Sequence, residues 1–324
     1  MIWPIGQPPG EVYALARRSR ELWEAVSQEA GFFFRSSGSL HLAYDSLEAD
    51  VLREFMSLYP ERGSEWLDAD TVIRHYPFVQ QGCVGAMHSL TEACVDPREA
   101  VHALAAELIL RGADIRFSTP VQKIEPHRVE LAGGEVLEGD WVIAATGPDL
   151  WELMPGRHQD YGLKRCRLHM MRYAPRFPGP RLGVHLCAGL TLSHYAGFRD
   201  CPSLPKLRDV QEKRWERQTR FGIHVLVSEH GDGSITVGDS HEYGLTFRPY
   251  RAADIDEAIE EATRQFLDLS NYQLIERWEG IYNTHDHRTY IHDVVEDGLL
   301  LVNVFGTGMT LSFGLAEQSQ GLLS

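Results

Sequence analysis

The sequence predicts an α/β protein, a Rossmann-like sheet domain joined to a mostly antiparallel β-sheet domain, and three stretches carry that prediction. Leu299–Val304 (LLLVNV) has the length and β-branched character of a buried strand. It runs into Gly306-Thr307-Gly308 and a helix start, with Thr310 or Ser312 as cap. Asp140–Gly147 (DWVIAATG) is a second buried strand ending in small residues, so two strand ends can line one crevice. From Trp151 to about Leu274 the character changes to longer strands with polar and aromatic residues, the mark of a second sheet. Glycines that admit a ligand to the backbone, followed by free N–H groups and a helix dipole, suit an anion or a carbonyl. The competing reading of the glycine loop alone is an ordinary strand-to-helix turn.

The 324 residues suffice for two domains. A net charge of −15 argues against nucleic acid or an anionic membrane surface as partner, though not against a local pocket for a small anion. Cys83, Cys94, Cys166, Cys187 and Cys201 show no CxxC and no metal spacing, and read as free thiols in a reducing compartment. No apolar run approaches membrane-spanning length and no leader pattern opens the chain, so a cytoplasmic protein is expected.

In chain order, MIWPIGQPPG is apolar and turn-rich, like the interior of a protein. Glu11–Ala30 carries Val12, Leu15, Ala16, Leu22, Trp23 and Val26 at helical spacing and stops at Gly31. Phe32–Tyr44 reads as a hairpin around Ser36-Ser37-Gly38, Ser46–Tyr59 as an amphipathic helix, and Asp68–Val95 as irregular. Asp96 caps a helix with Pro97 at its first position and Val101, Leu104, Ala105 and Leu108 on its inward face. Short strands follow at Asp114–Phe117, Val121–Ile124, Arg128–Leu131 and Glu135–Leu137. Further strands are expected at Leu168–Tyr173, Leu182–Leu192, Gly222–Glu229 and Ser234–Asp239, the last two joined by the HGDG turn. Ala253–Leu269 reads as a helix.

This order, with VDPREAVHALAAELILRGADIRF, VQKIE, GGEVLEGDWVIAATG, SGSLHLA and GTGMTLSFGLAE, resembles the D-amino-acid oxidase, sarcosine oxidase and glycine oxidase superfamily of FAD-dependent enzymes. IWPIGQPPGE, GLTLSHYAGF, GDSHEYG and RWEGIY narrow the resemblance to the oxidoreductases associated with phosphonate breakdown. The superfamily opens with a βαβ unit carrying GxGxxG. Gly6–Gly10 (GQPPG) is a turn sequence and does not match it, so the expected fold lacks that first unit. Residues 1–31, 96–150 and 275–324 are expected to form the FAD-binding domain, and 32–95 with 151–274 the substrate domain.

The resemblance implies oxidation of a C–N bond in a small amine with non-covalent FAD, since Glu279–Thr289 contains no cysteine for a covalent link. An electron acceptor, oxygen or another, completes the turnover, and the oligomeric state is left open. It places Gly306, Thr307, Gly308, Met309 and Thr310 at the flavin, Thr146 and Gly147 near the dinucleotide, Val121 at adenine, and Trp3 against the isoalloxazine ring or in the core. Where amino-acid oxidases of the superfamily carry an arginine for the substrate carboxylate, the W-x-G strand continues here to Tyr282. A carboxylate is then the poorer ligand, and an amino- or N-alkylaminophosphonate the expected substrate. Tyr282 and His241 are the catalytic candidates; Arg172, His194, Tyr195, His285 and Arg288 are the candidates for substrate binding. Each has a plainer reading, Arg172 as a strand-surface ion pair and His285 as a loop histidine. No metal is expected, because H-x-H at His285 and His287 beside Asp286 lacks partners. The rivals are an oxidase of ordinary or N-methyl amino acids and, outside enzymes, a remnant that holds no FAD.

Overall fold

The Leu299–Val304 strand lies at the centre of a three-stranded sheet in the computed structural model, which describes residues 1–323. It runs parallel to Val142–Ala144, pairing Leu299 with Val142 and Leu301 with Ala144, and antiparallel to Tyr290–Glu296. Leu299, Leu300 and Leu301 are buried, and each such side chain removed from water stabilises the fold by roughly 1.5–3 kcal/mol. The chain then enters the Gly308–Leu323 helix, which packs on the Glu11–Ala30 helix through Leu311 and Leu315 against Leu15 and Ala16. Gly314 allows the close approach, since a Cβ there would come within 2.7 Å of the Leu15 side chain. The Val121–Glu125, Arg128–Leu131 and Val136–Glu138 strands form a separate meander.

The second sheet has nine strands. Lys164–Pro175 pairs along its whole length with Tyr272–Thr284, and on its other edge with Ile235–Gly238 and Glu242–Gly244. The sheet continues through Leu226–Glu229, His185–Cys187, Ser39–Ala43 and Gly85–Ser89 to Glu65–Asp68. Tyr272–Thr284 remains in this sheet to its end, so the boundary expected at residue 275 falls inside a strand.

The helices at Glu11–Ala30 and Ser46–Leu58 form as expected, and Asp96 caps Pro97–Leu110 by accepting from the Arg98 N–H. Other expectations are corrected. Phe32–Tyr44 is not a hairpin: Phe34–Arg35 pairs with Cys94–Val95, while Ser39–Ala43 pairs with Gly85–Ser89 and His185–Cys187. The span expected to be irregular therefore supplies strands to both. Asp114–Phe117 forms no strand, and Leu182–Leu192 reduces to His185–Cys187 before a short helix, Leu190–His194. The buried Glu229 carboxylate takes the N–H groups of Leu182 and Gly183, which would otherwise pair in a sheet. On Pro97–Leu110 only Ala100 is buried, and Val101 and Leu108 of the expected inward face are exposed.

Residues 2–7 are buried, as their composition suggests, and the chain surfaces at Pro9 and Gly10. Ile2 bridges to Ala93, the Ile5 N–H donates to Glu92, and Arg62 donates to the carbonyls of Ile5 and Gln7 while lying over Tyr13 and Tyr59. This segment is thereby held between the glycine-loop helix and the large sheet. Among the described residues no helix is long and apolar enough to cross a membrane.

Candidate active site

Hairpin geometry assembles the centre of the site. In the Leu226–Glu229 and Ile235–Gly238 pair, Leu226 lies opposite Gly238, so His224, just before one strand, and Asp239, just after the other, emerge at the same end. Their backbones exchange hydrogen bonds, Asp239 N–H to His224 O at 2.8 Å and the reverse at 3.3 Å. The His224 Nε2 lies 3.1 Å from one Asp239 oxygen, and His241 Nε2 lies 3.9 Å from the other. His194, at the end of its short helix, stacks on His224 with ring centroids 3.7 Å apart and lies 4.5 Å from the His241 ring. One ring nitrogen from each of the three histidines lies within 4.8 Å of the other two.

These groups line a pocket of about 420 Å³ together with Tyr195, Tyr243 and Tyr282. Its opposite wall is Phe305, Gly306 and Thr307, and its rim includes Thr284, His285 and Arg288. A larger cavity of about 850 Å³, walled by Pro77, Phe177 and Tyr272, contains no residue of the glycine loop, so size does not mark the site. Burial lowers His194 and His224 well below the ordinary histidine value, and their neighbouring imidazoles add to this. Burial raises the Asp239 carboxyl, partly offset by His241, and drives the Tyr282 and Tyr195 hydroxyls upward.

The Tyr282 ring packs against Gly306, where a Cβ would come within 3.0 Å of it. Gly306 has φ +73°, in the left-handed region, and the following Gly308 has open space around its Cβ direction. Met309 and Thr310 turn away. The Met309 carbonyl accepts from the Trp23 indole, and the Thr310 hydroxyl accepts from the Trp3 N–H, so Thr310 sits inside the helix and is not its cap. Behind the loop, the Gly147 carbonyl accepts from Asn283 at 2.9 Å and from Asn303 at 2.7 Å, which ties the two strand ends together.

The expected residues thus divide. Tyr282, His241, His194, Tyr195, His285, Arg288, Gly306 and Thr307 meet at one pocket. Trp3 does not line it; its ring is buried against His41, His185 and Tyr195. Arg172 is corrected to its plainer reading. It stands four residues beyond Leu168, the residue of its strand that reaches the pocket, or roughly 13 Å along the chain. There it donates to Ser234 and Asp232 at 2.7 and 2.6 Å. Val121, Thr146 and Gly147 also lie off the pocket wall. His285 uses Nδ1 to accept from the His287 and Arg288 N–H groups, which shapes the loop. His224, Asp239, Tyr243, Asn283 and Asn303 were not singled out by sequence. The signal for the first two was the HGDG hairpin itself, whose closed end fixes what meets at its open end.

The chain matches the DAO family, described as FAD dependent oxidoreductase, over residues 1–319. It is 29% identical to a glycine oxidase of Bacillus licheniformis over 97% of this chain and 78% of that protein. Among solved structures, glycine oxidase from Bacillus cereus superposes with a TM-score of 0.77 at 17% identity, covering 97% of this chain and 81% of the other. Iminodiacetate oxidase from Chelativorans gives 0.71 at 17% identity, covering 99% and 84%. The residues here suit a flavin. The backbone at Gly308 is open, the first N–H groups of a 16-residue helix face the loop, and the Thr307 and Thr146 hydroxyls are buried without partners.

Proposed function

The chain belongs to the family of FAD-dependent oxidoreductases, and from that premise we propose that it oxidises a C–N bond in a small amine with an oxyanion head, an amino- or N-alkylaminophosphonate. The observation that carries this reading is the pocket's donor set. Its one arginine among the described residues, Arg288, is bonded to both oxygens of Asp293 at 3.2 Å, and Tyr282 stands beside the glycine loop. The charge of this arginine is therefore shared with Asp293, through Nη2. The His194 imidazole and the Tyr195 and Tyr243 hydroxyls line the pocket instead, a set suited to an oxyanion with more acceptor sites.

Gly306, Thr307 and Gly308 would hold FAD non-covalently, and the cofactor would supply a two-electron acceptor for the carbon next to nitrogen. The residues of this chain do the rest. Backbone N–H groups at the start of the Gly308–Leu323 helix favour negative charge at the loop. Asp239, raised by burial and held by His224, takes the proton from the substrate ammonium so that nitrogen presents its lone pair. Tyr282 and Phe305 restrict water beside the glycine loop. Hydrolysis of the resulting imine then releases an aldehyde and an amine.

A second reading, oxidation of glycine or an N-methyl amino acid, is favoured by the likeness to proteins named glycine oxidase. One experiment separates them: reduction of bound flavin under anaerobic conditions by 2-aminoethylphosphonate and its N-methyl derivative, against glycine and sarcosine. Faster reduction by the phosphonates is expected. Equal or faster reduction by the carboxylates overturns the proposal.

A further inference from the structure

The three histidines in the pocket wall have an arrangement that substrate hydrogen bonding alone does not explain. His241 places Nδ1 2.9 Å from the Gly222 carbonyl; as donor there, it leaves the Nε2 lone pair free. His224 places Nε2 3.1 Å from Asp239, which makes Nε2 the protonated nitrogen and leaves Nδ1 with its lone pair, buried and without a partner. A carbonyl or carboxylate orienting the far nitrogen of an imidazole is what metal-binding histidines show, because it fixes the tautomer and raises basicity. His194 adds a third ring and faces the pocket.

We propose that His194, His224 and His241 bind one divalent transition-metal ion in this pocket, with Asp239 behind His224 and an open coordination position toward the substrate. Three neutral imidazoles suit zinc, copper, nickel or iron(II), and three protein ligands with one open position are the pattern of a working site. The His194 and His224 rings are inclined by 30° and nearly stacked, so His194, the ring at the pocket surface, turns edge-on when the ion binds. The ion also answers a charge problem. The pocket holds Asp239, its Asp286 is paired with Lys164 at 2.8 Å and its Arg288 with Asp293, so a dianionic head finds little unpaired positive charge without it. This oxyanion part rests on the substrate reading above; the metal site does not.

The test uses the full chain, equilibrated with Co²⁺ and freed of loosely held ion, with bound cobalt and its visible d–d bands as readouts. One Co²⁺ per chain is expected, lost in His194→Gln and His224→Gln and retained in the loop control His285→Gln/His287→Gln. Asp239→Asn should weaken binding by roughly 10–100-fold, the effect of losing an outer-shell partner. His194→Gln changes a ring at the pocket surface, so it reports even if His224→Gln fails to fold. No bound cobalt, or binding unchanged in His194→Gln, overturns the site. Methylphosphonate should then shift the bands; bands that stay fixed overturn the oxyanion part and leave the metal site standing. Amine oxidation is not read, so its failure is seen separately.

Discussion

The side-chain amide of Asn303 donates to the carbonyl oxygen of Gly147 at 2.7 Å, joining the central strand of the three-stranded sheet to the turn that leaves its parallel neighbour. Asn283, next to Tyr282 in the large sheet, donates to the same oxygen at 2.9 Å. One carbonyl with two lone pairs thus holds the glycine-loop side and the substrate side in register. Either asparagine alone still satisfies it. Asn303→Ala should therefore cost about 1 kcal/mol, and the double variant with Asn283→Ala clearly more than the sum, because only then is the oxygen left unpaired. Denaturant unfolding of the four proteins in this cycle checks it; strict additivity would refute the shared-acceptor account.

Gly306→Ala should loosen the flavin end of the pocket. At φ +73° a side chain costs about 1–2 kcal/mol, and its Cβ would press on the Tyr282 ring at 3.0 Å. The loop must shift to relieve that contact. The expected outcome is a lower melting temperature together with a lower ratio of flavin to protein. A fall in melting temperature with full flavin content would mean that this loop does not hold the cofactor.

Tyr282→Arg tests the identity of the substrate head. The tyrosine stands on the Tyr272–Thr284 strand beside Gly306, facing the pocket. An arginine there would offer a bidentate fork beside the glycine loop. Relative to aminophosphonate, the rate with a carboxylate amine should rise at least tenfold, equivalent to about 1.4 kcal/mol. An unchanged ratio would mean that Tyr282 does not set selectivity.

The elements legible in the sequence were those whose signal is local. Leu299–Val304 is apolar but for Asn303 and buried or half-buried along its length, and Asp96-Pro97 starts its helix through a cap and a fixed φ, both short-range chemistry. The elements missed depend on distant partners. Ser39–Ala43 looks like half of a hairpin, yet its neighbours are Gly85–Ser89 and His185–Cys187, and nothing near residue 39 announces either. The site divides in the same way. Gly306 and Thr307 are visible as a glycine turn, whereas the meeting of His194 with His224 and Asp239 requires the sheet register. Arg172 was misplaced because its residue type suggests anion binding, while its position along the strand puts it beside Asp232.

Glu48 gives the last prediction, and its sign follows from burial. The residue lies in the Ser46–Leu58 helix, only 3% exposed, against Gly189, and its carboxylate accepts the Tyr44 N–H at 2.7 Å. Desolvation raises its pKa to about 7, with the Tyr44 hydrogen bond opposing. An acid raised in the folded state holds its proton there while the unfolded chain releases it near the ordinary value of 4.5. Its contribution to stability is therefore complete below 4.5 and is lost as pH climbs through 7. Glu48→Gln keeps the shape and an acceptor for Tyr44 but removes the charge. The variant should gain stability over the parent as pH rises from about 5 to about 8.5, approaching about 2 kcal/mol at the upper end, because a tenfold change in a carboxyl's proton affinity on folding is worth about 1.4 kcal/mol. Urea unfolding at both pH values measures this. A variant that trails the parent equally at both would show that the carboxylate is solvated in the fold, and the buried acid would have to be abandoned.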